Sequence, residues 1–252
     1  MKPARAYWLA GVAAYALMLV ATLPARQAYR FLPSAAHRAV TLYGLEGTVW
    51  NGRATAARIG PLELGPLRWD VGLLRLPLGQ VRVAWSAAGT GTAGSGIVQA
   101  GLWGGLRLPE LTLQVPVATL QHRLPLPVTL GGALEVRLHD IVVHDARLRR
   151  VAGTLTWRDA AVRWTDPIRL GTLVVKLEQG AKPIRGTLHD QGGPLEIRGT
   201  ITLSPAGRLQ LNAAVLPRAD APKPLLQALR ASGRPDATGR YHLHWSGHLP
   251  AL

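Results

Sequence analysis

The sequence predicts an all-β antiparallel fold: a duplicated β-unit forming one curved sheet or half-barrel, preceded by a single amino-terminal transmembrane helix. Three observations carry this. Short Val/Leu/Ile runs alternate with glycine and proline along most of the chain, one segment returns in altered form 106 residues later, and a long uncharged stretch stands near the start.

The composition bounds the fold. Of 252 residues, 48% are hydrophobic and 17% charged, enough for a sizeable core. The 28 glycines and 19 prolines sit between the apolar runs, as turns sit between strands. The formal charge of +15 invites a nucleic-acid partner, but the spacing of the cations argues against one. Apart from Arg147, Arg149 and Arg150 they stand singly at alternate positions, as in Val81-Arg82-Val83 and Leu106-Arg107-Leu108, the pattern of the wet face of a half-buried strand. Attraction to anionic lipid headgroups or to an acidic partner remains compatible with this charge. Cysteine is absent, so disulfides and thiolate chemistry are excluded.

The elements follow in chain order. Ala6 to Ala25 carries no charge, and twenty residues of helix reach ~30 Å, the thickness of a bilayer core. Lys2 and Arg5 precede it and Arg26 and Arg30 follow, and the short leader favours an amino terminus on the cytosolic side. A cleaved signal peptide is the competing reading, but the apolar run is long for one and no Ala-x-Ala site follows it. Residues 1–26 are therefore read as an anchor and 27–38 as a connector. Residues 39–252 are read as a β-domain, with repeat units at about 40–120 and 132–215.

The first unit offers strands at Leu45–Trp50, Ala54–Ile59, Gly79–Trp85 and Gly105–Val115. The proline-rich Pro116–Pro127 leads to Ala133–Leu138 and Ile141–Leu148, with His139-Asp140 read as the turn of a hairpin between them. Further strands are expected at Gly153–Trp157, Ala161–Trp164, Leu170–Leu177, Ile184–His189, Leu195–Leu203 and Gly207–Val215, with a final one at about 239–246. Within Pro222–Ser232, Leu225, Leu226 and Leu229 fall at helical spacing, which predicts a short helix covering a sheet end.

The repeat sets Gly47–Val71 against Gly153–Leu177, with identities at Gly47/Gly153, Thr48/Thr154, Ala54/Ala160, Pro61/Pro167, Leu64/Leu170, Gly65/Gly171 and Leu67/Leu173. The tryptophan slips by one position, from Trp50 to Trp157, and in a strand such a slip reverses the face. The copies could form separate sandwiches or one sheet. The continuous sheet is favoured, because open strand edges at a domain border invite aggregation.

No catalytic constellation emerges, so no enzyme is expected, and no cofactor or metal. No serine lies in a Gly-x-Ser-x-Gly elbow, and the fourteen carboxylates are scattered. His242 and His244 would share one face of a strand, a geometry open to a metal but more simply a solvent face. His139-Asp140 has the composition of a base with its orienting carboxylate, but its turn setting points to a hairpin. The eight tryptophans stand beside a single phenylalanine. Trp8 suits a membrane interface. Trp50, Trp69, Trp85, Trp103, Trp157 and Trp164 are expected to pack along the sheet or line an apolar groove for lipid or peptide.

At Gly47-Thr48-Val49-Trp50-Asn51-Gly52, behind one membrane segment, the chain resembles the type II secretion system protein N family of Gram-negative bacteria. The resemblance continues through Leu67-Arg68-Trp69, Gly101-Leu102-Trp103-Gly104, Leu124-Pro125-Leu126-Pro127-Val128-Thr129-Leu130-Gly131-Gly132 and Gly153-Thr154-Leu155-Thr156-Trp157. It implies an inner-membrane protein with a periplasmic β-domain, a non-enzymatic accessory to the export of folded proteins across the outer membrane. The partners it implies are other inner-membrane secretion components and the outer-membrane secretin, with membrane lipid touched through the amino-terminal helix. Repeated β-units behind one helix are also similar, at the level of fold, to the AsmA-like envelope proteins, which implies a lipid-binding or lipid-transfer module as the alternative. The shape of the concave face discriminates the two: an open apolar trough several strands long favours lipid, a face plugged by side chains favours assembly.

Overall fold

A computed structural model describes residues 3–31, 40–59, 62–72, 79–101, 105–121, 129–144, 147–163, 167–178, 183–204 and 207–248. Helices α1 (Pro3–Ala21) and α2 (Ala25–Arg30) come first. They are followed by β1 (Val40–Tyr43), β2 (Glu46–Gly47), β3 (Asn51–Ala54), β4 (Ala56–Ile59), β5 (Leu62–Leu64), β6 (Leu67–Gly72), β7 (Gln80–Ala88), β8 (Ala93–Gly101) and β9 (Leu106–Pro116). After the short α3 (Val117–Gln121) come β10 (Thr129–His144), β11 (Arg147–Arg163), β12 (Pro167–Leu177), β13 (Ile184–Gln191), β14 (Leu195–Leu203) and β15 (Arg208–Pro217). Helix α4 (Lys223–Ser232) and β16 (Tyr241–His248) complete the described elements.

Thirteen of the strands form a single antiparallel sheet in the order β16-β15-β14-β13-β12-β11-β10-β9-β8-β7-β6-β3-β2. It does not close, and β2 and β16 are its two edges. β1, β4 and β5 form a separate three-stranded sheet. From β6 to β16 every strand pairs with its neighbour in sequence, through short connections except where α3 stands between β9 and β10 and α4 between β15 and β16.

Residues directly opposite one another on antiparallel strands share a face. Following the pairing across all thirteen strands gives the row Gly47, Gly52, Trp69, Trp85, Gly96, Leu111, Leu138, Gly153, Leu177, Gly186, Ile201, Leu211, Trp245. Every member is apolar or glycine. One residue along each strand, the opposite face reads Glu46, Arg53, Arg68, Ser86, Ser95, Thr112, Arg137, Thr154, Lys176, Thr187, Thr200, Asn212, His244. Every member is polar. The period-two alternation visible in single strands thus becomes one dry and one wet face.

Three clusters cover the dry face in different ways. At one end β1, β4 and β5 lay Leu42, Ala57 and Leu64 on Leu67, Trp85 and Ala87. At the other, α4 lays Leu225 and Leu229 on Leu195, Ile197, Val215 and Tyr241, with Ile168, Leu170 and Leu173 packed alongside. Between them Ile141, Val151 and Ile184 are buried by Leu108, Leu111, Leu138, Leu177 and Leu203, all residues of the same sheet. Among the described residues no lid element joins this cluster, and apolar side chains of neighbouring strands bury one another.

Bulges keep the dry face dry. Asp140 (φ 53°) and Asp159 (φ 49°) lie where the β10–β11 and β11–β12 registers shift. Each inserts one residue, so Leu138 and Ile141, and likewise Trp157 and Ala160, fall on the same side despite their spacing of three. The expected hairpin at His139-Asp140 is therefore wrong: β10 runs unbroken through it, and Leu148 belongs to β11. The expected strands at Gly153–Trp157 and Ala161–Trp164 are likewise one strand with a bulge as far as Arg163. Asp140 is held by Arg150 at 3.2 Å.

Among the described residues no helix is long and apolar enough to cross a membrane. Helix α1 has 19 residues, and its Tyr7, Trp8, Tyr15 and Met18 are all exposed.

Candidate functional site

The candidate site is the apolar face of β9–β12 together with the free edges of the sheet. The strands supply it by alternation: Leu111 and Leu113 from β9, Val136 and Leu138 from β10, Leu155 from β11 and Val175 and Leu177 from β12 are all half-buried. Such a surface can take an acyl chain or an apolar peptide segment, but it positions no reactive group.

The tryptophans divide into separate roles. Trp69 and Trp85 are paired across β6 and β7 and line an open cleft of about 770 Å³ with Glu46, Arg53, Arg68 and Asp70. Trp69 lies over Gly52, whose absent Cβ would stand 2.3 Å from the ring, and Trp85 lies over Gly94 and Gly96. The Trp69 indole donates to Val49 O at 3.0 Å. Trp50 does something the sequence did not suggest: outside any strand, it donates to Val20 O at 2.7 Å, a carbonyl in the last turn of α1 that also accepts from Leu23 N at 3.3 Å. Val49 N donates to Leu23 O nearby at 3.0 Å, so the helix end is clasped to the sheet. Trp157 sits four strands from Trp85 and donates to Gly131 O at 2.9 Å. Trp103 and Trp164 lie outside the described residues. Trp69 and Trp85 thus meet in one cleft, whereas Trp50 and Trp157 occupy separate places.

The histidines have partners of their own. His242 Nε2 donates to Asp236 Oδ2 at 2.8 Å, and His244 Nδ1 lies 2.7 Å from Asn212 Oδ1. No group of three metal-ligating side chains occurs among the described residues. Asp236 also accepts from Thr238 Oγ1 at 2.6 Å and from Arg240 N at 3.0 Å. The Thr238 hydroxyl, His242 and the Arg240 amide together hold its carboxyl well below the usual carboxylate range. This loop presents β16, the eight-residue edge of the sheet, with Trp245 exposed on it.

A second polar node stands behind the edge. The Asp190 side chain is 5% exposed, its carboxylate accepting from Ile197 N at 2.8 Å and from Arg218 at 2.7 Å. Arg218 donates further to Gly193 O and Leu195 O, at 2.6 and 3.1 Å. Burial pushes the Asp190 carboxyl up, but the Ile197 amide and the Arg218 guanidinium outweigh it and leave it below its ordinary value. Asp190 lies on the dry face beside Leu173, which period-two reading of the sequence could have flagged as a polar residue at an apolar position.

Residues 38–244 match the family described as type II secretion system (T2SS), protein N. The chain belongs to that family. Its relatives include the type II secretion system protein N of Vibrio cholerae serotype O1, 30% identical over 99% of this chain and 100% of the relative. That of Aeromonas hydrophila is 26% identical over 94% and 95%, and that of Klebsiella pneumoniae 29% over 93% and 92%. No solved structure matches the chain. Family membership thus rests on the length of the sequence match, which covers both repeat units.

Proposed function

We propose that the chain is a non-enzymatic accessory subunit of the type II secretion apparatus, held in the inner membrane by its amino-terminal helix with the sheet in the periplasm. The observation that carries this reading is the protein N match over 38–244. Exposed aromatic and apolar side chains along α1 favour an apolar surrounding for that helix. Within α1 the run from Ala6 carries no charge.

Partner components would dock on the free edge at β16 by strand addition, since an edge strand presents unpaired backbone donors and acceptors. Other inner-membrane components and the secretin are the proposed partners. The chain lacks cysteine, so Ser246→Cys on this edge gives a single cross-linking site. In secreting cells the expected products are adducts with other secretion components. Their absence in cells that still secrete would contradict edge docking.

The apolar face favours a second reading, a lipid-binding module, because the cluster from β9 to β14 consists, among the described residues, of sheet residues alone. Detergent-free purification followed by native mass spectrometry separates the two. Stoichiometric phospholipid without partner binding would favour the lipid module.

A further inference from the structure

We propose that the end of the sheet next to α1 is a docking surface for anionic phospholipid headgroups, resting on the reading of α1 as a membrane anchor. The sheet has two ends, and the backbone pairing shows which residues stand at each. Trp50 O accepts from Val71 N, which places the clasp on α1 at the end of β6 where Gly72 follows. From Gly72 the pairing runs to Arg82 in β7, Gln99 in β8, Arg107 in β9, Val142 in β10 and Arg150 in β11. These residues share the wet face, and arginines recur on every second strand, about 10 Å apart.

Arg82 and Arg107 are exposed, and neither has an ion-pair partner among the described residues. The carboxylates nearby are paired or set back: Asp140 binds Arg150, and Asp70 and Glu110 lie one pairing row inward. Helix α2, which directly follows α1, adds the exposed Arg26 and Arg30. Because Trp50 and Val49 bond to Val20 and Leu23, this row is held at the level of the last turn of α1. A helix ending at a bilayer surface would bring exposed guanidinium groups against the headgroup phosphates, where they are attracted to an anionic leaflet. That proximity selects a lipid surface over an acidic protein as the occupant.

The test uses the full chain in vesicles with a nitroxide on Gln99→Cys, between Arg82 and Arg107, and a relaxation agent tethered to lipid headgroups. A second labelled variant, Ala16→Cys in α1, reports on the anchor. Headgroup contact at position 99 is expected in phosphatidylglycerol-containing vesicles. It should be lost in pure phosphatidylcholine, in high salt and in the Arg82→Gln/Arg107→Gln variant, and retained in Arg169→Gln, whose site is at the other end of the sheet. Contact that is equal in both lipids, or absent from both while position 16 stays in the hydrocarbon, would overturn the headgroup surface and leave the anchor standing. Position 16 exposed to water would overturn the anchor, and the surface with it.

Discussion

The two copies of the repeat keep the same tight backbone positions and build different structures around them. In the first copy the chain leaves the large sheet after β3, and β4 and β5 join β1 to make a lid over β6 and β7. In the second, β11 and β12 stay in the sheet throughout, and the lid is α4, contributed from elsewhere in the chain. The matched Leu64 and Leu170, and Leu67 and Leu173, nevertheless all enter apolar clusters. The matched Gly65 and Gly171 each abut the turn after the following hairpin, Gly65 at Ala88 and Gly89, Gly171 at Gly192 and Gly193. What the duplication preserves is a leucine pair in an apolar cluster and a glycine where two backbones meet; the register and the lid were free to diverge.

The largest effect that would sharpen this comparison is at the matched glycines. Gly171 has φ 84°, and an added Cβ would stand 2.0 Å from Gly192 O, so Gly171→Ala should cost about 4 kcal/mol. Gly65 lacks the positive φ but would place a Cβ 2.4 Å from Ala88 O, and Gly65→Ala should cost about 2 kcal/mol. Urea midpoints of the two variants would give the order, and the reverse order would break the proposed equivalence.

The lids come next. Leu229→Ala should cost about 3 kcal/mol by calorimetry, and so should Leu64→Ala, because each leaves a cavity between its lid and the same sheet face. A negligible cost at Leu229 would mean that α4 is no true counterpart of the first lid.

Beside the second copy stands the Asp190–Arg218 node, for which Arg218→Met should cost about 2 kcal/mol by leaving a shielded carboxylate without its cation. The folded-state pKa of Asp190 lies below its unfolded value, so the stabilisation is complete above about pH 4 and is lost as pH falls through the folded value. Acid unfolding of Asp190→Asn should show a weaker pH dependence in that window than the parent chain. Smallest is Trp50→Phe, which removes one hydrogen bond to Val20 O and should cost about 1 kcal/mol, seen as faster proteolysis between α1 and β1.

The β class and the family were legible because alternation and the Gly-Thr-x-Trp block are local signals, and the continuity of the large sheet followed from the cost of open edges, but the separate sheet of β1, β4 and β5 was not foreseen. The bulges were not: Asp140 and Asp159 break the alternation by one residue, which in sequence resembles the end of a strand. β1, β5, β6 and β8 were missed as well; Ala93–Gly101 is so rich in glycine and alanine that only its pairing with β7 and β9 defines it. The tryptophans were identified as packing or groove residues, but the contact of Trp50 with Val20 spans thirty residues and leaves no pattern in the sequence.

The central claim is that both copies belong to one continuous sheet, joined where β9 meets β10. Thr112 and Arg137 face each other across that junction, on the wet face. In a chain without cysteine, Thr112→Cys/Arg137→Cys should oxidise readily to a disulfide in the folded protein, whereas the displaced pair Thr112→Cys/Glu135→Cys should not. Two separate sandwiches would leave both pairs reduced, and that result would contradict the account.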